Sequence, residues 1–193
     1  IETDAKSLIL PGFIDTHVHP IIGSMRNAGC LFEIGNDYEG FKQQLSSYIS
    51  SHPELELIIG HGYTFEHFPD LKPHRKYIDQ ICDTKPVILA RVDLHSALLN
   101  TKALEYCKIT KDTKNPPECK FEGGNEGDLT GLWHEDAKGI IEKDENGELT
   151  GVLYDAALAL LRPFVPRNTY ENIGQAFDAA IQTMVSEGIT TYM

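Results

Sequence analysis

The sequence predicts an α/β chain: the N-terminal part of a parallel (β/α)8 TIM-type barrel, incomplete in this chain, with an inserted excursion that contains a β-hairpin. Three observations carry that reading. Apolar runs of strand length alternate with helical segments in the order strand, helix, strand, helix, strand, excursion, helix, strand. Residues 86–93 are apolar nearly throughout, the pattern of a strand buried on both faces of a parallel sheet. The first strand ends on two histidines, His17 and His19, spaced two apart. A closed barrel of this kind takes ~250 residues, so a chain of 193 is expected to supply only part of one.

Residues 10–20 read as the first strand, with Pro11 and Gly12 at its entry and Pro20 ending its pairing. Strand geometry sends residues i and i+2 to one face, so His17 and His19 project side by side. Asp15 lies one step deeper, where it or a backbone carbonyl can orient a ligand imidazole. Two neighbouring imidazoles suit zinc, iron or nickel alike; the competing reading is a solvent-facing pair on an edge strand. Residues 21–35, with three glycines, Met25 and Cys30, read as a loop at the mouth.

Phe41, Leu45, Tyr48 and Ile49 recur at helical spacing behind an Asn36 or Asp37 cap. Residues 55–60 read as the second strand, and His61 beyond it as a loop residue or a residue of the mouth. Phe65, His67 and Phe68 continue a loop broken by Pro69 and Pro73, and residues 75–82 form a short helix with Tyr77, Ile78 and Ile81 inward. The buried strand 86–93 delivers residues 93–100 to its end, where His95 faces the mouth or serves a structural role; Asn100 caps a helix over 102–107.

Residues 108–151 shift to Gly, Lys, Asp, Glu and Pro, the composition of an excursion, and residues 144–147 between two apolar pairs read as a hairpin turn. Gly127 to Trp133 and Gly147 to Leu153 echo each other as two similar hairpin exits. Trp133 and His134 stand in the additional stretch around 118–136, read as a solvated acidic flap or a segment that tunes substrate choice. Residues 152–161 read as a short helix closed by Pro163 and Pro166. Asn168 with Glu171 reads as a capping box for an amphipathic helix carrying Ile173, Phe177, Ile181 and Met184, which Gly188 closes before a last strand.

The string Pro-Gly-Phe-Ile-Asp-Thr-His-Val-His at 11–19 resembles the first barrel strand of the amidohydrolase superfamily, where this His-x-His binds the catalytic metal. Residues 93–100 resemble the His-Ser-x-x-x-Asn segment of its YtcJ-like branch, which includes N-substituted formamide deformylases, and Gly-x-x-Thr-Gly-x-Leu at 147–153 resembles that branch's lid-like insertion. The resemblance implies a metal-dependent hydrolase acting on amide-type, non-peptide C–N bonds of small molecules through a metal-activated water. It implies His17 and His19 as metal ligands, His95 as a substrate contact, and a divalent metal, zinc by expectation. It places the end of a small β-sandwich at residues 1–10 and the first part of the barrel at 11–193, interrupted at about 108–151. The general base and the remaining ligands are expected beyond Met193, because no ordered set of them follows His19. Asp155 and Glu135 are not assigned as ligands, and the chain alone is expected to be inactive.

A net charge of −12 argues against nucleic acid or an anionic membrane as partner. No apolar run reaches the ~18 residues of a membrane span. The four cysteines form no C-x-x-C pair, which fits reduced thiols and a cytoplasmic setting. A homo-oligomer stays open. The alternative reading is a truncated, non-catalytic paralogue acting as a binding or assembly module; a relative acting on cyclic ureides or nucleobases shares the histidine pair but not the 93–96 segment.

Overall fold

The structure is a computed structural model that describes residues 10–25, 29–116, 138–166 and 170–193. In chain order its elements are β1 (Phe13–Asp15), α1 (Pro20–Met25), β2 (Cys30–Leu31), α2 (Tyr38–Ser51), β3 (Ile58–Tyr63), α3 (Arg75–Asp79), β4 (Val87–Arg91), β5 (Ser96–Leu99), α4 (Thr101–Tyr106), β6 (Ile140–Lys143), β7 (Leu149–Tyr154), α5 (Tyr170–Ser186) and β8 (Ile189–Tyr192). Single turns of 3₁₀ helix cover Phe65–His67 and Pro69–Leu71, and a longer one covers Asp155–Leu161. They group into two compact units. One contains residues up to 25 and from 169 onward; the other contains residues 26–168 and so interrupts the first in sequence.

The first unit is a βαβ arrangement. β1 and β8 pair in parallel, Phe13 opposite Ile189 and Asp15 opposite Tyr192, with α5 between them in the chain and packed against α1. Gly12 permits the approach: a Cβ there would collide with the Thr190 side chain. The amphipathic stripe read from the sequence is visible in α5, where Ala180 and Met184 are buried and Ile173, Phe177 and Ile181 are partly covered. Gly188 closes the helix at φ +80, a conformation open to glycine without strain.

The second unit is a six-stranded sheet in the order β2-β3-β4-β5-β7-β6. β2, β3 and β4 run parallel, whereas β5, β7 and β6 are joined antiparallel. The α/β class is as expected, but this sheet is mixed rather than all-parallel. The turn of residues 92–95 between β4 and β5 is the physical reason: four residues close a hairpin and are far too few for a parallel crossover. Apolar side chains fill both faces. Phe41, Leu45, Val87, Leu89, Leu98 and Val152 lie in one cluster; Ile88, Ala97, Leu99, Leu104, Leu153 and Leu158 lie in another. That double burial accounts for the unbroken apolar run through β4.

Several elements differ from the sequence reading. Pro20 opens α1 instead of ending a strand, since proline's fixed φ suits the first turn of a helix and its missing N–H is no loss there. The segment 21–35 therefore holds a helix and the short strand β2 rather than a single loop. β3 lies three residues later than expected and carries His61, because its pairing with β4 runs from Ile58–Val87 to Tyr63–Arg91. Residues 152–161 divide between the end of β7 and the 3₁₀ run. The hairpin β6–β7 is present, its turn closed by Gly147 at φ +79. The echo at 127–133, Trp133, His134, Glu135 and Asn168 of the capping box lie outside the described residues, as do residues 1–9.

Candidate functional site

His17 and His19 lie in the bend between β1 and α1, beyond the last paired residue. Both are exposed, and their rings meet edge to face with centroids 5.3 Å apart. The strand ends at Asp15, earlier than the sequence reading, so pleat geometry is not what brings the rings together. Asp15 does it locally: its Oδ1 accepts the His17 backbone N–H at 3.0 Å, an Asx turn that folds the chain out of the strand. The Asp15 carboxylate is thus shown on a backbone amide. Among the described residues no group of three or more His, Cys, Asp or Glu is placed to hold a metal ion. Two adjacent, exposed imidazoles nonetheless fit a borderline-soft divalent ion in donor type, as two ligands of a larger set.

In the second unit, polar side chains gather at the sheet end that carries the C-termini of β3, β4 and β7. The β4–β5 turn is organised by Asp93, whose Oδ2 pairs with Arg91 at 3.0 Å and whose Oδ1 accepts the His95 backbone N–H at 3.1 Å. Leu94 sits at φ +65 inside that turn, and its N–H donates to the Arg91 carbonyl at 3.0 Å. Arg91 also stacks over the Phe65 ring, its Cζ 3.9 Å from the centroid, while its buried Nε has no hydrogen-bond partner.

His95 is half-buried, and its Nδ1 lies 3.2 Å from Asp155 Oδ1. The Asp155 N–H also donates to the His95 carbonyl at 2.9 Å, where Ser96 stands opposite Tyr154 in the ladder. Tyr63 and Ser96 share a hydrogen bond of 3.3 Å. Burial pushes the phenols of Tyr63 and Tyr154 up, with Glu142 adding to the rise at Tyr154, so both remain neutral hydroxyls.

The sequence singled out His17, His19 and His95, and the structure places each at a strand end or turn. It missed Asp155 and Arg91 as companions of His95. Arg91 could have been found from the strand, as the last residue of an apolar run that ends in a charge. Asp155 lies 60 positions from His95 and carries no local signal. Asn100, by contrast, caps α4 as expected. His61 lies on β3, partly buried. A separate groove between β2 and α2, lined by Cys30, Gln43, Gln44, Ser47 and Tyr48, offers no reactive group, because burial pushes the Cys30 thiol up to about 12.

The family model of the amidohydrolase family matches residues 4–193, and the chain belongs to that family. It is 28% identical over 196 residues to the YtcJ protein of Bacillus subtilis (strain 168), covering 98% of this chain and 33% of that protein. It is 27% identical over 184 residues to Protein LONG AFTER FAR-RED 3 of Arabidopsis thaliana, covering 95% of this chain and 28% of that one. The chain thus spans about a third of the length of these curated relatives. A solved structure of an uncharacterized metal-dependent hydrolase from Pyrococcus horikoshii OT3 shares the fold at a TM-score of 0.52, with 21% identity over 94% of this chain and 30% of that one.

Proposed function

We propose that this chain is the metal-binding opening portion of a hydrolase acting on amide-type, non-peptide C–N bonds of small molecules, with β1, α5 and β8 as the first βαβ unit of a TIM-type barrel. The observation that carries the reading is the pair of exposed imidazoles of His17 and His19, packed together past the end of β1 in a chain of the amidohydrolase family. A bound divalent metal, zinc by our reading, supplies a water of pKa near ~7 and polarises a scissile carbonyl.

His17 and His19 would hold that metal, and Asp15 keeps the bend in the shape that presents both rings. His95 is a substrate contact. Tyr63 and Tyr154, held neutral, are hydrogen-bonding groups and not bases. The remaining ligands and the proton-transferring carboxylate would come from residues outside this sequence, because a catalytic zinc normally has three protein ligands. We place the protein in the cytoplasm. Cys30, Cys82 and Cys107 are free and buried, and no described helix is long and apolar enough to cross a membrane.

Titration of the chain with Zn²⁺ by calorimetry tests the assignment. The reading expects binding that the His17→Ala/His19→Ala double variant loses by tenfold or more, about 1.4 kcal/mol. Equal uptake by both proteins refutes it. The presence of only two such ligands favours a second reading, a non-catalytic binding or assembly module. That reading expects neither protein to bind zinc and the chain to form a stable oligomer.

A further inference from the structure

Asp155 and His95 are held together more firmly than the ladder requires. The backbone already fastens the two positions, through the Asp155 N–H to the His95 carbonyl at 2.9 Å and through Ser96 opposite Tyr154. The side-chain contact between Nδ1 and Oδ1 at 3.2 Å is additional. It is made by an aspartate in left-handed backbone, φ +48, beside a turn whose Leu94 is also left-handed at φ +65. Two such non-glycine residues at one site store strain of the order of 1–3 kcal/mol each, a pattern that concentrates at functional positions. Asp93 fixes the same histidine from the other side by accepting its backbone N–H at 3.1 Å.

A carboxylate can only accept hydrogen bonds. The imidazole nitrogen facing Asp155 therefore carries the proton, and in the neutral ring the other nitrogen, Nε2, is the acceptor. We propose that Asp155 is a positioning residue that locks His95 in the Nδ1–H tautomer and makes Nε2 the acceptor for the N–H of an amide-type ligand. The ligand half of this rests on the reading of His95 as a substrate contact; the tautomer half stands without it. Histidines that serve metals and substrates are commonly oriented through the opposite ring nitrogen in this way.

The test is ¹⁵N NMR of the ring nitrogens in the 193-residue chain, at about pH 8.5, well above the ordinary imidazole value. In the wild type, His95 Nδ1 should resonate as a protonated nitrogen and Nε2 as a lone-pair nitrogen; the reverse pattern overturns the proposal and needs no variant. Asp155→Gly removes the carboxylate while accepting the positive φ. It should keep the urea midpoint within reach of wild type and move His95 toward the Nε2–H form; an unmoved tautomer also overturns the proposal. N-methylacetamide, a minimal secondary amide, is then added to both proteins. The expected result is a shift of Nε2 in the wild type that is absent in Asp155→Gly, which a purely structural clasp would not produce. A wild-type Nδ1–H signal with no response to the amide overturns the amide-recognition half, and with it the role given to His95, while leaving the metal assignment to the zinc titration.

Discussion

Replacing Asn100 by alanine removes four hydrogen bonds at once. The Asn100 side chain is fully buried at the junction of β5 and α4. Its Oδ1 accepts from the Val87 N–H at 2.9 Å and from the Ala103 N–H at 2.8 Å; its Nδ2 donates to the Cys82 and Lys85 carbonyls at 2.8 and 2.9 Å. It thereby joins the start of β4, the first turn of α4 and the loop after α3. Truncation leaves two buried donors and two buried acceptors without partners, each costing about 1–3 kcal/mol where water does not enter.

Taking the lower end for each, since the cavity can admit a water, gives a loss of about 4 kcal/mol. Asp79 moderates the damage to α4 by accepting from the Thr101 N–H and hydroxyl at 2.8 and 2.7 Å. With an m-value of about 2 kcal/mol/M, the urea midpoint of the transition that reports residues 26–168 should fall by roughly 2 M at unchanged slope. Asn100→Asp keeps both acceptor bonds but sets a charge against two carbonyls, so it should also destabilise. A midpoint shift below about 0.5 M for Asn100→Ala would mean that the four bonds are not the hub described here.

Two further predictions concern the second unit. Gly151 sits at φ +94 in β7, and a Cβ there would run into the Leu99 carbonyl, so Gly151→Ala should cost about 3 kcal/mol or more. Gly147, at φ +79 with open space around it, should cost only about 1 kcal/mol as alanine; equal urea midpoints for the two variants would refute the contrast. His74 caps α3 by accepting the Lys76 N–H on Nδ1, and burial, with Lys76 and Arg75 adding, holds its imidazole below the ordinary value. The unfolded chain then binds the proton more readily, so this contribution to stability is present above about pH 6.5 and is lost as the pH falls toward the folded value. His74→Asn keeps a capping acceptor without the titration. Its urea midpoint should fall less than that of the wild type between about pH 7 and pH 5, and parallel decreases would refute the assignment.

The elements legible in the sequence are those whose cause is local. The α2 helix follows from the spacing of Phe41 and Leu45 and from one of the two caps weighed, Asp37, whose side chain accepts from Gly40 at 3.0 Å. The α4 cap, the β6–β7 hairpin turn and the glycine stop of α5 are local in the same sense. What could not be read is what depends on partners. Nothing in the run 86–93 says that one neighbour of β4 is parallel and the other antiparallel. That is decided by the brevity of the turn after it and by β7, which arrives 50 residues later. The two units were equally hidden, since β1 finds its partner β8 only at the far end of the chain.

The same distinction separates the two histidine sites. His17 and His19 were found because two residues of one type at a fixed spacing after an apolar strand are a short-range pattern, even though the Asx turn of Asp15, and not the strand pleat, sets their rings together. His95 was found from its segment, but its setting was not, because the carboxylate that faces it comes from the far side of the β6–β7 hairpin. The Thr150–Gly151 pair, read as a hairpin exit, has a structural explanation: Thr150 donates to Glu142 Oε2 at 2.6 Å, and Gly151 lets β7 pass close to the Leu99 carbonyl. Three residues further on, the same strand ends in Tyr154 and hands Asp155 to His95. A motif that reads as turn chemistry thus sets the register that brings a carboxylate to an imidazole, which is why Gly151→Ala should disturb the His95 ring as well as the stability of the sheet.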